Sequence, residues 1–214
     1  MGLREKKVQQ NRQRIVREAL SLFARNGYEQ TTMEAIAEAA ELSPSTLYRY
    51  FPSKDLILLD NFNAFSAQFS RVFAEHSAYH PVDEALAEAI FAVLRIEDEN
   101  PTGTLLVRSL VDHAPIARAR LWDFLAEQQS QLSGLIAARL RARPTDLRVV
   151  LTAQIATLIT GIAADRWRAN KGKGSSRTIA ADLMQLLQQG SVIFPRPRAE
   201  AAKRSHPGKR HRRS

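Results

Sequence analysis

Residues Thr31 to Lys54, TTMEAIAEAAELSPSTLYRYFPSK, constrain the fold more than any other stretch, because they write two short helices, a tight connection and a third helix start in quick succession. Met33, Ile36, Ala37 and Ala40 recur on one helical face. Thr31 and Glu34 have the T-x-x-E spacing of a capping box at the start of that helix. A second helix begins where Ser43 can cap the free backbone N–H groups and Pro44 can occupy the first helical position, where a missing N–H costs nothing. Leu47 and Phe51 can then turn inward, which leaves Ser45, Thr46, Tyr48, Arg49 and Tyr50 to cover the rest of the surface. Their hydroxyl and guanidinium groups are the donors used on phosphates and base edges. Lys54, behind the expected cap residue Ser53, stands where the helix dipole disfavours a cation unless an anion docks beside it. The pattern is that of a helix-turn-helix followed by a supporting helix.

The stretch AEAAELSPSTLYRYFPSKDLIL resembles the DNA-binding signature of the TetR family of bacterial transcriptional regulators, and IVREALSLFARNGYEQTTMEAIA is similar to the family's first helix, Gly-Tyr turn and Thr-Thr pair. The resemblance implies a homodimer that binds a palindromic operator on double-stranded DNA. It also implies that Thr32, Tyr48, Tyr50 and Lys54 serve the phosphate backbone, while Ser45, Thr46 and Arg49 approach the major groove, with Ser43 among the DNA-binding residues. Glu41 stands where that family usually has a glycine. A left-handed backbone at a glutamate costs about 1–2 kcal/mol, so either Glu41 accepts that conformation or the turn differs.

No alternating strand pattern of useful length follows, and the chain reads as all-α. A fourth helix is expected from about Lys54 into the seventies. Pro81, Pro101, Pro115 and Pro144 then divide the remainder into helices near 82–98, 101–112, 115–143 and 146–170, with a last one near 176–193. Three segments result: a helix-turn-helix domain over 1–52, a helical regulatory and dimerisation domain over 53–194, and a basic, disordered tail over 195–214. The tail holds eight Lys or Arg against Glu200, which is +7 of the net +9. It adds either sequence-independent DNA affinity or solubility. A second basic cluster, Arg4, Lys6, Lys7, Arg12, Arg14 and Arg17, lies near the N-terminus.

In the fourth helix Phe62, Phe65, Phe69 and Phe73 share a face, which reads as core or as the wall of a cavity for a bulky apolar effector. RSLVDHAPIARARLWDFLAEQQSQLSGLIAARL resembles the C-terminal domain of a TetR subgroup that binds acyl-CoA-like ligands and includes the mycofactocin-system regulators. That likeness makes Arg108 the candidate cation for the polar end of a small hydrophobic or acyl-CoA-like effector; the alternative is a surface arginine or a buried ion pair. Leu151, Ile155, Leu158, Ile159 and Ile162 form one broad apolar stripe, and Ile179, Leu183, Leu186 and Leu187 form another. Packed against a second copy they would make a four-helix bundle. KGKGSS, Lys171 to Ser176, is read as a flexible connection between the two stripes.

With no cysteine, the chain has no disulfides, thiolate catalysis or Cys-based metal sites, in keeping with a reducing cytoplasmic location. Neither a signal peptide nor a membrane span is expected, and Val149–Ala164 is read as a buried helix of a soluble protein. Ser109 and His113 can be written as part of a hydrolase-like trio, but no strand-turn-helix setting for a nucleophile accompanies them. His76 and His80 have the i, i+4 spacing of a helical metal pair without a third ligand. The expectation is therefore no enzyme, no cofactor and no metal. A helical interaction module without DNA binding would require a damaged recognition helix, and this one is intact.

Overall fold

The computed structural model describes residues 2–195, so the tail assigned to 195–214 lies, apart from Pro195, outside the described residues. Ten helices and no strands occur among the described residues: α1 (Leu3–Asn26), α2 (Met33–Ala39), α3 (Pro44–Tyr50), α4 (Lys54–Leu58), α5 (Asp60–Ser77), α6 (Val82–Glu99), α7 (Pro101–His113), α8 (Pro115–Leu140), α9 (Leu147–Ala169) and α10 (Ser176–Gln188). Pro44, Pro101 and Pro115 sit in the first turns of α3, α7 and α8, as their missing N–H groups favour. Side-chain caps complete several starts. Asn100 accepts from the Gly103 N–H and Asp146 from the Arg148 N–H.

The single fourth helix expected from Lys54 onward is instead two helices, broken at Leu59. Ile57, Leu58 and Leu59 are all buried. A regular helix turns about 100° per residue and cannot aim three successive side chains at one core, so the chain tightens, and the Phe62 N–H bonds to the Leu59 carbonyl.

Two hydrophobic cores result. The first is built from α1 to α4, with Ile15, Phe23, Ile36, Leu47, Phe51 and Ile57 almost fully buried, and it takes in Val107, Val111, Ala114, Ala117 and Leu121 from the α7–α8 corner. Its packing therefore extends well past residue 52. The second joins α5, α6, α8, α9 and α10 around Phe73, Ile90, Leu94, Ile136 and Val149.

The end of α6 ties several elements together. Asp98 accepts from the Ser175 hydroxyl and the Ser176 N–H, each at 2.8 Å, and so caps α10. Ser176 in turn donates to the Leu94 carbonyl, and the Trp167 indole donates to the Gly174 carbonyl. The 171–176 connection is thus pinned at both ends rather than loose. Its reversal uses positive φ at Lys171, Gly172 and Gly174.

Glu97, beside Asp98, is 7% exposed and faces Arg168 at 3.6 Å, with one carboxylate oxygen lacking a hydrogen bond. Burial pushes its pKa up from 4.5 to about 7, against the pull of Arg168 and Arg108 and with the push of Asp98 and Asp165. The folded state therefore holds a proton that the unfolded chain releases near 4.5, so this group lowers stability as pH rises from there to about 7, and no further above it. Urea midpoints of Glu97→Gln should vary less than those of the unsubstituted protein between about pH 5 and pH 8, the difference reaching at most roughly 3 kcal/mol. Identical pH profiles would mean that Glu97 titrates normally.

Candidate nucleic-acid interface

The helix-turn-helix is closed by local hydrogen bonds. Thr32, not Thr31, is the cap of α2, accepting from the Ala35 N–H at 3.1 Å. Thr31 is buried and donates its hydroxyl to the Gly27 carbonyl, so the Thr31–Glu34 capping box does not form. At the other end of α2, Glu41 adopts φ 52° and the Leu42 N–H returns to the Ala37 carbonyl at 2.9 Å. This is a left-handed helix ending made by a glutamate, which accepts the steric cost a glycine would avoid. Arg14 lies 3.5 Å from the Glu41 carboxylate.

Ser43 caps α3 by accepting from the Thr46 N–H at 3.2 Å, and its hydroxyl also meets those of Ser45 and Thr46. Leu47 and Phe51 are buried in the first core. Ser45, Tyr48 and Arg49 stand exposed, with Thr46 and Tyr50 half-buried. One face of α3 thus presents a compact set of donors on a rigid base.

Two tyrosines have partners that spacing did not reveal. The Tyr50 hydroxyl accepts from Asn11 of α1 at 3.1 Å. The Tyr48 hydroxyl donates to Glu34 of α2 at 3.3 Å, and its pKa is raised by desolvation and then by that carboxylate. Arg12 is committed internally, paired with Asp60 and stacked over Phe51 with its guanidinium carbon 4.4 Å from the ring centre. Arg17 pairs with Glu18, while Arg4, Lys6 and Lys7 lie on the exposed first turns of α1.

Lys54 is turned inward. Its ammonium donates to the carbonyls of Tyr28, Glu29 and Thr31 at 2.8, 3.2 and 3.4 Å, sits 4.4 Å from the Tyr28 ring centre, and lies 3.8 Å from the Glu29 carboxylate. A cation at this helix start is tolerated because it fastens the α1–α2 loop.

The effector residues read from sequence do not gather around one cavity. Phe62 packs against the first core, Phe69 and Phe73 belong with the second, and Phe65 meets Phe62 edge to face at 6.3 Å. The stripe bridges the two cores, as a helix running between them must. Arg108 pairs with Asp112 at 3.1 Å. Two clefts, of about 580 and 350 Å³, are lined by other residues of α5, α6, α9 and α10.

The proposed association stripe also divides. Leu151 and Leu158 are 61% and 59% exposed, and Leu186 is 44% exposed. Ile155, Ile162, Ile179, Leu183 and Leu187 are half-buried. Ile159 does not share that exposure: at 7% it is core, because it stands about 100° round α9 from Leu158 and is turned into the second core. By length and composition α9 would suffice to cross a membrane, and only one side of it is buried, against the second core. The reading of its sequence as a buried helix holds for that side alone.

The remaining candidates are not assembled. The His113 Nδ1 meets the Ser109 backbone carbonyl at 2.7 Å, not its hydroxyl. The rings of His76 and His80 lie 5.9 Å apart, and no metal-binding group of three or more such residues occurs among the described residues.

Residues 15–60 match the family described as bacterial regulatory proteins, tetR family. The chain is 35% identical over 144 residues to the HTH-type transcriptional regulator TcmR of Streptomyces glaucescens, covering 64% of each chain. It is 41% identical over 63 residues to the HTH-type transcriptional repressor KstR of Rhodococcus jostii, covering 29% of this chain and 28% of that one. The matched region thus spans under two thirds of either relative. In fold it is similar to FadR of Bacillus subtilis in complex with stearoyl-CoA, with a TM-score of 0.61, 21% identity, and 83% and 98% of the two chains covered. It is also similar to Thermus thermophilus FadR in complex with lauroyl-CoA, with a TM-score of 0.54, 23% identity, and coverage of 92% and 100%.

The position of Lys54 has a measurable consequence. Lys54→Ala removes a charged donor from three carbonyls and should lower stability by about 1–3 kcal/mol, read as a lower urea midpoint with unchanged slope. An unchanged midpoint would show that the loop closes without it.

Proposed function

Because this chain belongs to the TetR family of bacterial regulatory proteins, we propose that it acts in the cytoplasm as a DNA-binding transcriptional repressor, a homodimer that leaves a palindromic operator when an effector binds. The observation that carries this reading is the exposed donor set on α3, held by Leu47 and Phe51 and capped by Ser43. Ser45, Thr46 and Arg49 are the candidates for base edges. Thr32, Ser43, Tyr48 and Tyr50 are the candidates for phosphates, with Lys54 acting by holding the loop that carries Thr32. Asn11 supports Tyr50 from behind. Glu34 works against phosphate binding at Tyr48 until the hydroxyl is turned away from it.

Two copies of α3 must fit successive major grooves roughly 34 Å apart. The exposed leucines supply the means of association. Leu151 and Leu158 are two helical turns apart on one ridge of α9, with Leu186 exposed on the neighbouring α10. Such an apolar ridge against its own copy makes a two-fold interface.

For the effector, the bound ligands named for the two FadR proteins favour an amphipath such as an acyl-CoA. Phe62, Phe65, Phe69 and Phe73 are the candidate apolar contacts, and Arg108 could exchange Asp112 for an anionic end of the ligand. Release from DNA then requires the ligand to favour the conformation that binds DNA less well. No hydrolase role is proposed, since the Ser109 hydroxyl is not joined to His113.

Selection of bound duplexes from a random pool, followed by gel shifts, tests the central reading. A palindrome should be enriched, and Arg49→Ala should relax preference at one base pair per half-site by about 1–3 kcal/mol. Failure to enrich any sequence would reject sequence-specific binding. Sedimentation tests the association surface separately: the protein should run as a dimer at micromolar concentration, and Leu158→Glu as a folded monomer, because that side chain is exposed in the single chain. A wild-type monomer would remove the interface.

A further inference from the structure

The larger cleft, about 580 Å³, is a trough whose floor is α6 and whose walls are α5 and the start of α10. Arg71 of α5, Arg95 of α6 and Arg177 of α10 line it, with His76 at its edge and Phe91 half-buried in its floor. One carboxylate, Glu88, lines it too, so the lining carries two more positive than negative charges with histidine neutral. The arginines keep partners beyond the trough: Arg71 with Glu75 at 2.8 Å, Arg95 with Glu99 at 3.9 Å, and Arg177 with Asp98 at 3.5 Å. The first two are half-exposed pairs, which water and salt screen and which give way readily to a stronger anion, whereas Asp98 is only 12% exposed and keeps its bonds from Ser175 and Ser176 when Arg177 turns to a ligand.

Three helices thus bring three guanidinium groups to one concave surface of ligand size. Guanidinium forks match phosphate oxygens two at a time, and more than one fork suits a group with more than one negative charge. Phe91 adds a flat apolar surface on which a planar ring can lie. A fatty acid alone, with one carboxylate and no ring, would leave most of this lining unused.

We infer that this trough binds the phosphorylated, nucleotide-like head of a small molecule. A free nucleotide and the coenzyme A end of an acyl-CoA share that chemistry. The site uses none of the α3 residues and none of Phe62, Phe65, Phe69, Phe73 or Arg108, so it goes beyond the proposed function and can fail independently of it.

Isothermal titration of the full chain with ADP, coenzyme A, lauroyl-CoA, lauric acid and phosphate-free pantetheine tests the inference. ADP and coenzyme A should bind at least about tenfold more tightly than pantetheine, with affinity falling as salt rises. The double variant Arg71→Gln/Arg95→Gln should lose at least about tenfold in that affinity, and so should Arg177→Gln alone. Thermal melting and gel shifts without ligand check that each variant still folds and still binds DNA. Lauroyl-CoA binding well above coenzyme A would identify the acyl-CoA as the source of the head group, and equal binding would identify the free nucleotide. Failure of every phosphorylated probe to bind, or unchanged affinity in both folded variants, overturns the site. Loss of DNA binding by the unsubstituted protein would instead reject the regulator reading.

Discussion

The insertion of the α7–α8 corner into the first core is the constraint on which the rest of this fold depends. Helices α2, α3 and α4 have seven, seven and five residues, far too few for independent stability. Their apolar faces need a surface to rest on. Helix α1 supplies part of it, and Val107, Val111, Ala114, Ala117 and Leu121 supply the remainder from distant sequence. The pose of α3 is therefore set jointly by the N-terminal helices and by the body of the protein.

That shared core has electrostatic fastenings on either side. The Arg120 Nε of α8 lies 2.5 Å from Asp55 Oδ2 of α4, an ion pair outside hydrogen-bond geometry, with the aspartate side chain only 9% exposed. Arg12 of α1 closes on Asp60 at the start of α5. A displacement of α8 or α5 must either carry α1 and α4 along or leave a buried carboxylate without its cation, a costly outcome. This is a physical route by which binding in the helical body can reach α3, and it needs two packings of one interface rather than a continuous deformation.

The body of the protein spends its polar groups on rigidity at one end. Asp98 caps α10, Ser176 ties that cap to α6, and Trp167 holds the loop that leads into it. The trough of arginines opens directly beside this anchored junction, since Ser175 lines it. A ligand there would meet a preorganised wall, which lowers the ordering cost of binding.

Local chemistry legible in the sequence decided the helices and their starts. Pro44, Pro101, Pro115, Ser43 and the inward pair Leu47 and Phe51 act within one or two turns of themselves, so their effect can be read from spacing alone. The exposed donors of α3 follow from the same periodicity, whereas spacing left open whether Glu41 turns left-handed, and the return of the Leu42 N–H to the Ala37 carbonyl decides it. Other outcomes depended on which surfaces meet. Thr31 was drawn into the core and passed the capping role to Thr32; Lys54 found three carbonyls from a loop more than twenty residues away. Tyr50 gained Asn11, and Tyr48 gained Glu34. On α9, periodicity marked a broad apolar stripe but could not say which side of it faced α6 and α10, so Ile159 became core while Leu151 and Leu158 stayed exposed. The arginine trough left no trace in the sequence, because its three cations lie on three helices and only their packing brings them together. Periodicity and capping are short-range and survive in any context; burial, ion pairing and cavity shape are properties of pairs of surfaces, and tertiary structure alone decides them.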